Sequence, residues 1–147
     1  MSPREPADAR WSARRSGVYR AEDARGLSAS DAPGLDVVPV SLDGVDGKAV
    51  LFERFAAALA FPDWFGANWD ALEDCLGDLS WRPDAGRLLV IDGFETLQGA
   101  GGDDFRVLLG LLGDVAQDWA AEGRAFFAIF VDPRRGLTLR DWNAAGA

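Results

Sequence analysis

Apolar residues along the chain occur either in compact runs or at helical spacing. Residues 35–42, 87–92 and 125–131 form short apolar runs bounded by turn signals, and each run predicts a strand. The last run shows no alternation of apolar and polar residues, which is typical of a strand covered on both faces. Pro39 lies inside the first run and indicates an edge position or a bulge there, because proline has no N–H to donate.

The segments between these runs have helical spacing. Residues 48–60 predict an amphipathic helix, and residues 68–79 predict a second helix whose first turn the Asn68 side chain can cap. Residues 103–121 predict a third helix, with Gly123 as its C-terminal cap. Strands that alternate with helices favour an α/β fold, here a small three-stranded parallel sheet packed with helices.

The two ends of the chain differ from this central region. Residues 1–34 are rich in Pro, Ala, Ser, Asp and Arg and contain few apolar residues. We therefore expect a loosely ordered N-terminal extension over residues 1–34, with one short strand near residues 17–20, and a folded domain over residues 35–147. Near the C-terminus, Leu137, Leu139 and Trp142 predict a short return against the core.

Composition excludes several classes of function. The chain has no histidine, which excludes serine–histidine and cysteine–histidine nucleophile pairs and ordinary zinc sites. Cys75 is the single cysteine, so no internal disulfide can form and a reducing cytoplasm is expected. No apolar run is long enough to cross a bilayer, and the N-terminus lacks the apolar stretch of a secretory signal. An enzyme that depends on carboxylates alone or on Mg²⁺ stays open.

Charge is unevenly distributed along the chain, whose net charge is −9. The first 27 residues contain six arginines and four acidic residues, whereas the other 120 contain 20 acidic and nine basic residues. An acidic body repels nucleic-acid phosphates and anionic membranes and attracts a basic partner. The alternative is that the acidity only maintains solubility.

A helix over residues 68–79 separates apolar from acidic side chains. The apolar stripe, which must face the core, consists of Leu72, Cys75, Leu76 and Leu79. The opposite face carries Asp70, Glu73, Asp74 and Asp78. No basic residue occurs between positions 63 and 78, and like charges one turn apart cost a helix about 0.2–0.5 kcal/mol per pair. This face is either a solvated surface, a binding surface or, as a third alternative, a paired-carboxylate site.

Aromatic residues precede this helix and continue into its first turn, at Phe61, Trp64, Phe65 and Trp69. Rings beside a charged ridge are typical of interaction hot spots, although such rings can also belong to the core. Gly66 allows the backbone between them to turn tightly or to approach a partner closely.

Residues 64–76, with the sequence WFGANWDALEDCL, resemble the signature of the barstar family of ribonuclease inhibitors. That signature is two aromatics, Gly, any residue, Asn, an apolar residue, then Asp-Ala-Leu-x-Asp-Cys-Leu. The resemblance extends more weakly over residues 35–132. It implies a barstar-like fold and an intracellular inhibitor, or antitoxin, of a basic bacterial ribonuclease, rather than an enzyme.

The resemblance also implies roles for individual residues. In the family, the second helix and the preceding loop enter the ribonuclease active site, where carboxylates occupy the places of RNA phosphates. Asp74 is then the central phosphate mimic and Asp70 its neighbour, while Trp64 replaces a tyrosine that stacks on the catalytic histidine. Secondary acidic contacts fall on Asp118 and Glu122. The remaining implied contact residues are Phe65, Gly66, Asn68, Trp69 and Glu73.

Three features depart from the family pattern. Trp64 and Phe65 lack the hydroxyls of the more usual tyrosine pair, Glu73 stands in place of a tryptophan, and residues 1–34 have no counterpart. They leave open an alternative, an interaction module of the same fold that neutralises or regulates a non-ribonuclease partner. In either case we expect no cofactor or metal, no direct contact with nucleic acid or membrane, and a monomer when free.

Overall fold

The structure, a computed structural model, describes residues 9–142. Within this part of the chain the strands are β1 (Gly17–Ala21), β2 (Leu35–Ser41), β3 (Gly86–Asp92), β4 (Phe126–Val131) and β5 (Arg140–Asp141). All of them pair in parallel, in the spatial order β2-β3-β4-β1-β5. The predicted parallel α/β fold is confirmed. The predicted number of three strands is wrong, because the segments at both ends of the chain add β1 and β5 to one edge.

The helices are α1 (Lys48–Leu59), α2 (Trp69–Asp78), α3 (Glu95–Gly99) and α4 (Asp104–Ala121). All four contribute buried side chains to one core on a single face of the sheet, among them Leu51, Leu72, Leu97 and Leu112. The sequence did not predict α3, because five residues are too few to display a helical period. Among the described residues, no helix has both the length and the apolar character needed to span a membrane.

Residues 9–34 cover the opposite face of the sheet. Alternate strand residues point to this face, including Leu88 of β3 with Phe127 and Ile129 of β4, and they form a second core with Trp11 and Trp142. The ring centroids of Trp11 and Trp142 are 4.7 Å apart in a stacked arrangement. An exposed apolar sheet face would be costly, so the burial of these rings stabilises the whole layer.

This packing corrects the expectation of a loosely ordered extension over residues 9–34, while residues 1–8 lie outside the described residues. The short strand expected near residues 17–20 is β1, which lies between β4 and β5. The expected C-terminal return is also present, since Leu137 and Trp142 are buried. Residues 143–147 lie outside the described part of the chain.

A buried ion pair connects the two ends of the chain at the carboxyl edge of the sheet. Arg20 of β1 is only 3% exposed, and its Nε lies 3.0 Å from Oδ2 of the buried Asp132. Its Nη1 lies 2.9 Å from Oδ2 of Asp141 in β5. Asp132 also accepts hydrogen bonds from the backbone N–H groups of Gly136 and Leu137. The loop after β4 is thereby held against β1.

Candidate protein-binding site

The boundaries of α2 are set by local chemistry. Asn68 adopts an extended backbone conformation, and its Oδ1 accepts a hydrogen bond of 2.8 Å from the N–H of Ala71. This is the predicted cap, and it satisfies one of the free N–H groups of the first turn. The helix ends at Leu79, which has a left-handed backbone with φ of 49° and donates its N–H to the carbonyl oxygen of Cys75.

The two faces of α2 differ as predicted. Leu72, Cys75, Leu76 and Leu79 are fully buried. Asp70, Asp74 and Asp78 are exposed, and Glu73 is half-buried. Burial raises the pKa of the Cys75 thiol, and the nearby carboxylates of Asp74 and Asp78 raise it further. Cys75 therefore stays a neutral packing residue rather than a reactive thiolate.

Acidic residues of α4 extend the acidic side of α2. Burial raises the pKa of Glu73, and the carboxylates of Asp114 and Asp118 raise it further, followed by those of Asp70 and Asp74. Five carboxylates on two neighbouring helices therefore share one surface, here called the acidic face: Asp70, Glu73, Asp74, Asp114 and Asp118. Asp114 is not among the site residues predicted from the sequence, although its spacing of four residues from Asp118 is visible in the chain.

The acidic face is not neutralised by any described part of the chain. Within residues 9–142, no hydrogen bond or ion pair engages the carboxylates of Asp70, Glu73 or Asp74. Beside it, a groove of about 320 Å³ runs between α2 and α4 and includes Arg106 among its lining residues. Arg106 lies 3.2 Å from Asp103 and so has its own partner. Cations of a partner would relieve the mutual repulsion of these carboxylates.

Trp119 holds α4 against α2. Its indole N–H donates to the carbonyl oxygen of Leu76 at 3.0 Å, and the ring is fully buried. This contact fixes the α4 turn that precedes the exposed Glu122, which lies at the C-terminal end of the helix. Asp118 is connected to the acidic face through its effect on Glu73, whereas no described contact joins Glu122 to α2.

The aromatic residues around the start of α2 differ in exposure: one ring is exposed to solvent, and the others pack against neighbouring rings. Trp64 is 64% exposed, and the only aromatic ring that it contacts among the described residues is that of Trp81, edge to face, with centroids 6.2 Å apart. Phe65 packs against Phe61 and Phe52, and Trp69 packs against Phe52 with centroids 5.0 Å apart. These edge-to-face contacts fix the loop. Trp64 is therefore available to a partner, while Phe65 and Trp69 chiefly support the loop.

The tight turn of this loop falls on Ala67 rather than on Gly66. Ala67 has a φ of 51°, in the left-handed region that favours glycine, whereas Gly66 is not among the residues with positive φ. A Cβ atom placed on Gly66 would lie 3.4 Å from Nδ2 of Asn68 and 3.7 Å from Cβ of Ala71. These are ordinary van der Waals distances, so the local backbone does not by itself require a glycine at this position.

The arrangement does not resemble a metal centre. Among the described residues, no three His, Cys, Asp or Glu side chains converge closely enough to hold a metal ion. The carboxylates lie on the outer surfaces of two helices, where they can form ion pairs with cations of a partner.

Comparison with known families gives one match. The family model described as Barstar (barnase inhibitor) matches residues 35–131, which span β2 to β4, all four helices and every residue of the candidate site. The strands β1 and β5 lie outside the match. No curated protein sequence matches the chain at a significant level.

Proposed function

Because the chain belongs to the barstar family, which is described by its inhibition of barnase, we propose that it is an intracellular antitoxin that binds a basic bacterial ribonuclease and blocks its active site. The observation that carries this proposal is the acidic face, whose carboxylates on α2 have no partner among the described residues. The carboxylates of such a surface can form ion pairs with the cationic side chains of a ribonuclease that otherwise bind RNA phosphates.

In this proposal, the order of carboxylates along α2 sets their roles. Asp74 lies at the middle of the helix, with Asp70 one turn before it, and both are exposed. Asp74 enters the cluster of catalytic cations and replaces a phosphate, and Asp70 pairs with a cation beside it. Several cations around one carboxylate offset the cost of removing it from water, which a single pair often fails to do.

The electrostatic potential around this central contact comes in part from three further carboxylates, those of Glu73, Asp114 and Asp118. Complementary potentials accelerate encounter, so the whole acidic face contributes to the association rate even where no direct pair forms. Glu122 is exposed one turn after Asp118 and adds a peripheral contact.

Trp64 supplies the apolar part of the proposed contact. Its ring is exposed in the free protein and flanks the capped end of α2, where Gly66 and Asn68 leave the backbone accessible. Burial of an indole against an aromatic or imidazole ring of the ribonuclease excludes water from the neighbouring ion pairs. The chain acts by occupying the site and performs no chemistry of its own.

The test is a fluorogenic RNA cleavage assay with barnase and other small basic ribonucleases. We expect stoichiometric inhibition of at least one enzyme, and at least a 100-fold loss of affinity in Asp74→Asn, about 2.7 kcal/mol. The matched control is Glu95→Gln, which removes one exposed negative charge on α3, outside the acidic face. Failure to inhibit any of these enzymes, or equal inhibition by Asp74→Asn, contradicts the proposal.

A further inference from the structure

An apolar groove of about 360 Å³, here called the α1 groove, lies between α1 and the loop that precedes α2. On the side of α1 it is lined by Ala49, Phe52 and Ala56, which follow one another at helical spacing along one face of the helix. Phe65 and Ala67 line it on the side of the loop. Only Phe65 of these five residues is among the contact residues implied by the family resemblance.

The aromatic residues of the α1 groove are held in place by the fold. Phe52 is buried and belongs to the core on the helical face of the sheet, and the ring of Phe65 meets it edge to face with centroids 6.3 Å apart. Ala49 and Ala67 are exposed and Ala56 is half-buried, so small side chains leave room beside these rings. The α1 groove is therefore already formed in the free protein, and an occupant does not have to open it.

The lining of the α1 groove favours an apolar occupant. Lys48 and Glu53 are the two charged residues that line it, and their charges are opposite. The other lining residues are alanines and phenylalanines, whose side chains cannot form a hydrogen bond with a polar group that leaves water. The volume lies near the lower limit of small-molecule sites, so the α1 groove suits one large apolar side chain.

The α1 groove adjoins the surface proposed to bind the ribonuclease. Phe52 packs against Trp69 with ring centroids 5.0 Å apart, and Trp69 also lines the groove between α2 and α4 beside the acidic face. Ala67 directly precedes Asn68, the cap of α2. A protein that covers the first turn of α2 therefore lies next to the α1 groove.

Charge distinguishes between the proteins that could cover this groove. Each copy of the chain has a net charge of −9, so two copies repel each other. A basic protein is instead attracted to the neighbouring acidic face. Open apolar surface next to polar surface is typical of protein interfaces, and here the charge assigns that surface to a basic partner.

We propose that the α1 groove receives an apolar side chain, aliphatic or aromatic, of the same ribonuclease whose active site the acidic face blocks. This inference rests on the proposed function and extends the contact from α2 and its preceding loop to α1. The incoming side chain packs against Phe52 and Phe65 and is withdrawn from water. The α1 groove thereby selects, among basic ribonucleases, those that carry an apolar side chain beside the cationic active site.

The test uses variants that fill the α1 groove without a change in charge, measured with a ribonuclease that the unaltered chain inhibits in the fluorogenic assay. Ala56→Gln and Ala49→Gln each place a longer polar side chain in the groove, and we expect each to weaken binding at least about tenfold, or 1.4 kcal/mol. The loss should appear in the dissociation rate, with an unchanged association rate, because the charges that steer encounter are retained. Ala57→Gln is the matched control, because Ala57 is exposed on α1 and does not line the groove.

A double-mutant cycle identifies the ribonuclease side chain. Exposed apolar residues around the ribonuclease active site are replaced one at a time by alanine, and binding is measured to the unaltered chain and to Ala56→Gln. We expect one replacement to weaken binding to the unaltered chain and to have much less effect on binding to Ala56→Gln. Additive losses at every one of these positions contradict the inference.

The outcomes separate this inference from the proposed function. Unchanged affinity in both groove variants, with binding still strongly weakened by Asp74→Asn, overturns the inference and leaves the proposed function intact. Failure to inhibit any ribonuclease overturns both. A dimer of the free chain in sedimentation velocity that Ala56→Gln abolishes assigns the α1 groove to a second copy and also overturns the inference. Should Ala56→Gln fail to fold, Ala49→Gln decides, because Ala49 is exposed.

Discussion

Trp11→Ala tests the finding that residues 9–34 are part of the folded core. Trp11 is fully buried, its ring stacks on Trp142 and meets Phe127 edge to face at 5.2 Å, and its indole N–H donates to the carbonyl oxygen of Asp31. Removal of a buried tryptophan side chain costs about 3–5 kcal/mol, and the lost hydrogen bond contributes within that range. We therefore expect a loss of about 4 kcal/mol, a large part of the usual 5–15 kcal/mol of a domain.

Trp64→Ala is the matched control, since it removes the same side chain from an exposed position. Trp64 is mostly exposed and meets the Trp81 ring edge to face, so we expect the free energy of unfolding to change by about 0.5 kcal/mol or less. For the affinity of ribonuclease binding we expect the opposite order, with the larger loss in Trp64→Ala. There Trp64→Ala loses about 2 kcal/mol, roughly 30-fold in affinity, if the proposed contact is correct.

The assay is urea unfolding followed by far-ultraviolet circular dichroism, because tryptophan fluorescence itself changes in both variants. A loss of less than about 1 kcal/mol in Trp11→Ala, with an unchanged dependence of the free energy on urea, refutes the packed N-terminal layer. A smaller urea dependence with low stability means instead that the segment has detached and exposed the sheet before unfolding.

Three further changes test other parts of the structure. Arg20→Met leaves the buried Asp132 without its cation, and we expect it to lower the free energy of unfolding in urea by about 3–5 kcal/mol. A loss below about 1 kcal/mol would show that the buried pair does not contribute to stability. Asn68→Ala removes the cap of α2 and should cost about 1 kcal/mol in the same assay, whereas no change excludes the cap as a stabilising contact. Because folding raises the pKa of Glu73 above its usual 4.5, the folded state binds more protons, and stability falls as pH rises from 4.5 through the raised pKa. Glu73→Gln should therefore be more stable than the unaltered protein at pH 7, with a difference that disappears below pH 4.5 in thermal melts, and a difference independent of pH contradicts this origin.

The features predicted correctly from the sequence depend on local periodicity. The opposite faces of α2 and the cap at Asn68 follow from spacing within ten residues, and Pro39 indicated the edge position that β2 occupies in the sheet. The shared acidic face depends instead on contacts between α2 and α4. For this reason no pattern in the sequence placed Glu73 beside Asp114. The positive φ of Ala67 was likewise not predicted, because the sequence pointed only to Gly66, as a residue that allows either a tight turn or a close approach to a partner.

The N-terminal layer escaped prediction for a related physical reason. Its buried residues are few, large and widely spaced, so Trp11, Tyr19 and Leu27 display no period of either helix or strand. Their partners include Leu88 of β3, Phe127 of β4 and Trp142, which are far away in sequence. Burial against residues so distant does not alter the local composition from which a fold is predicted.

The position of β1 between β4 and β5 affects how the protein is made. Among the described residues, β1 pairs only with β4 and β5, both of which are synthesised much later, and Arg20 meets Asp132 across 112 positions of sequence. Closure of a contact this distant is slow compared with helix formation. During synthesis, residues 9–34 must therefore stay unpaired until β4 has been made, and a product terminated before β4 lacks the strands against which they pack.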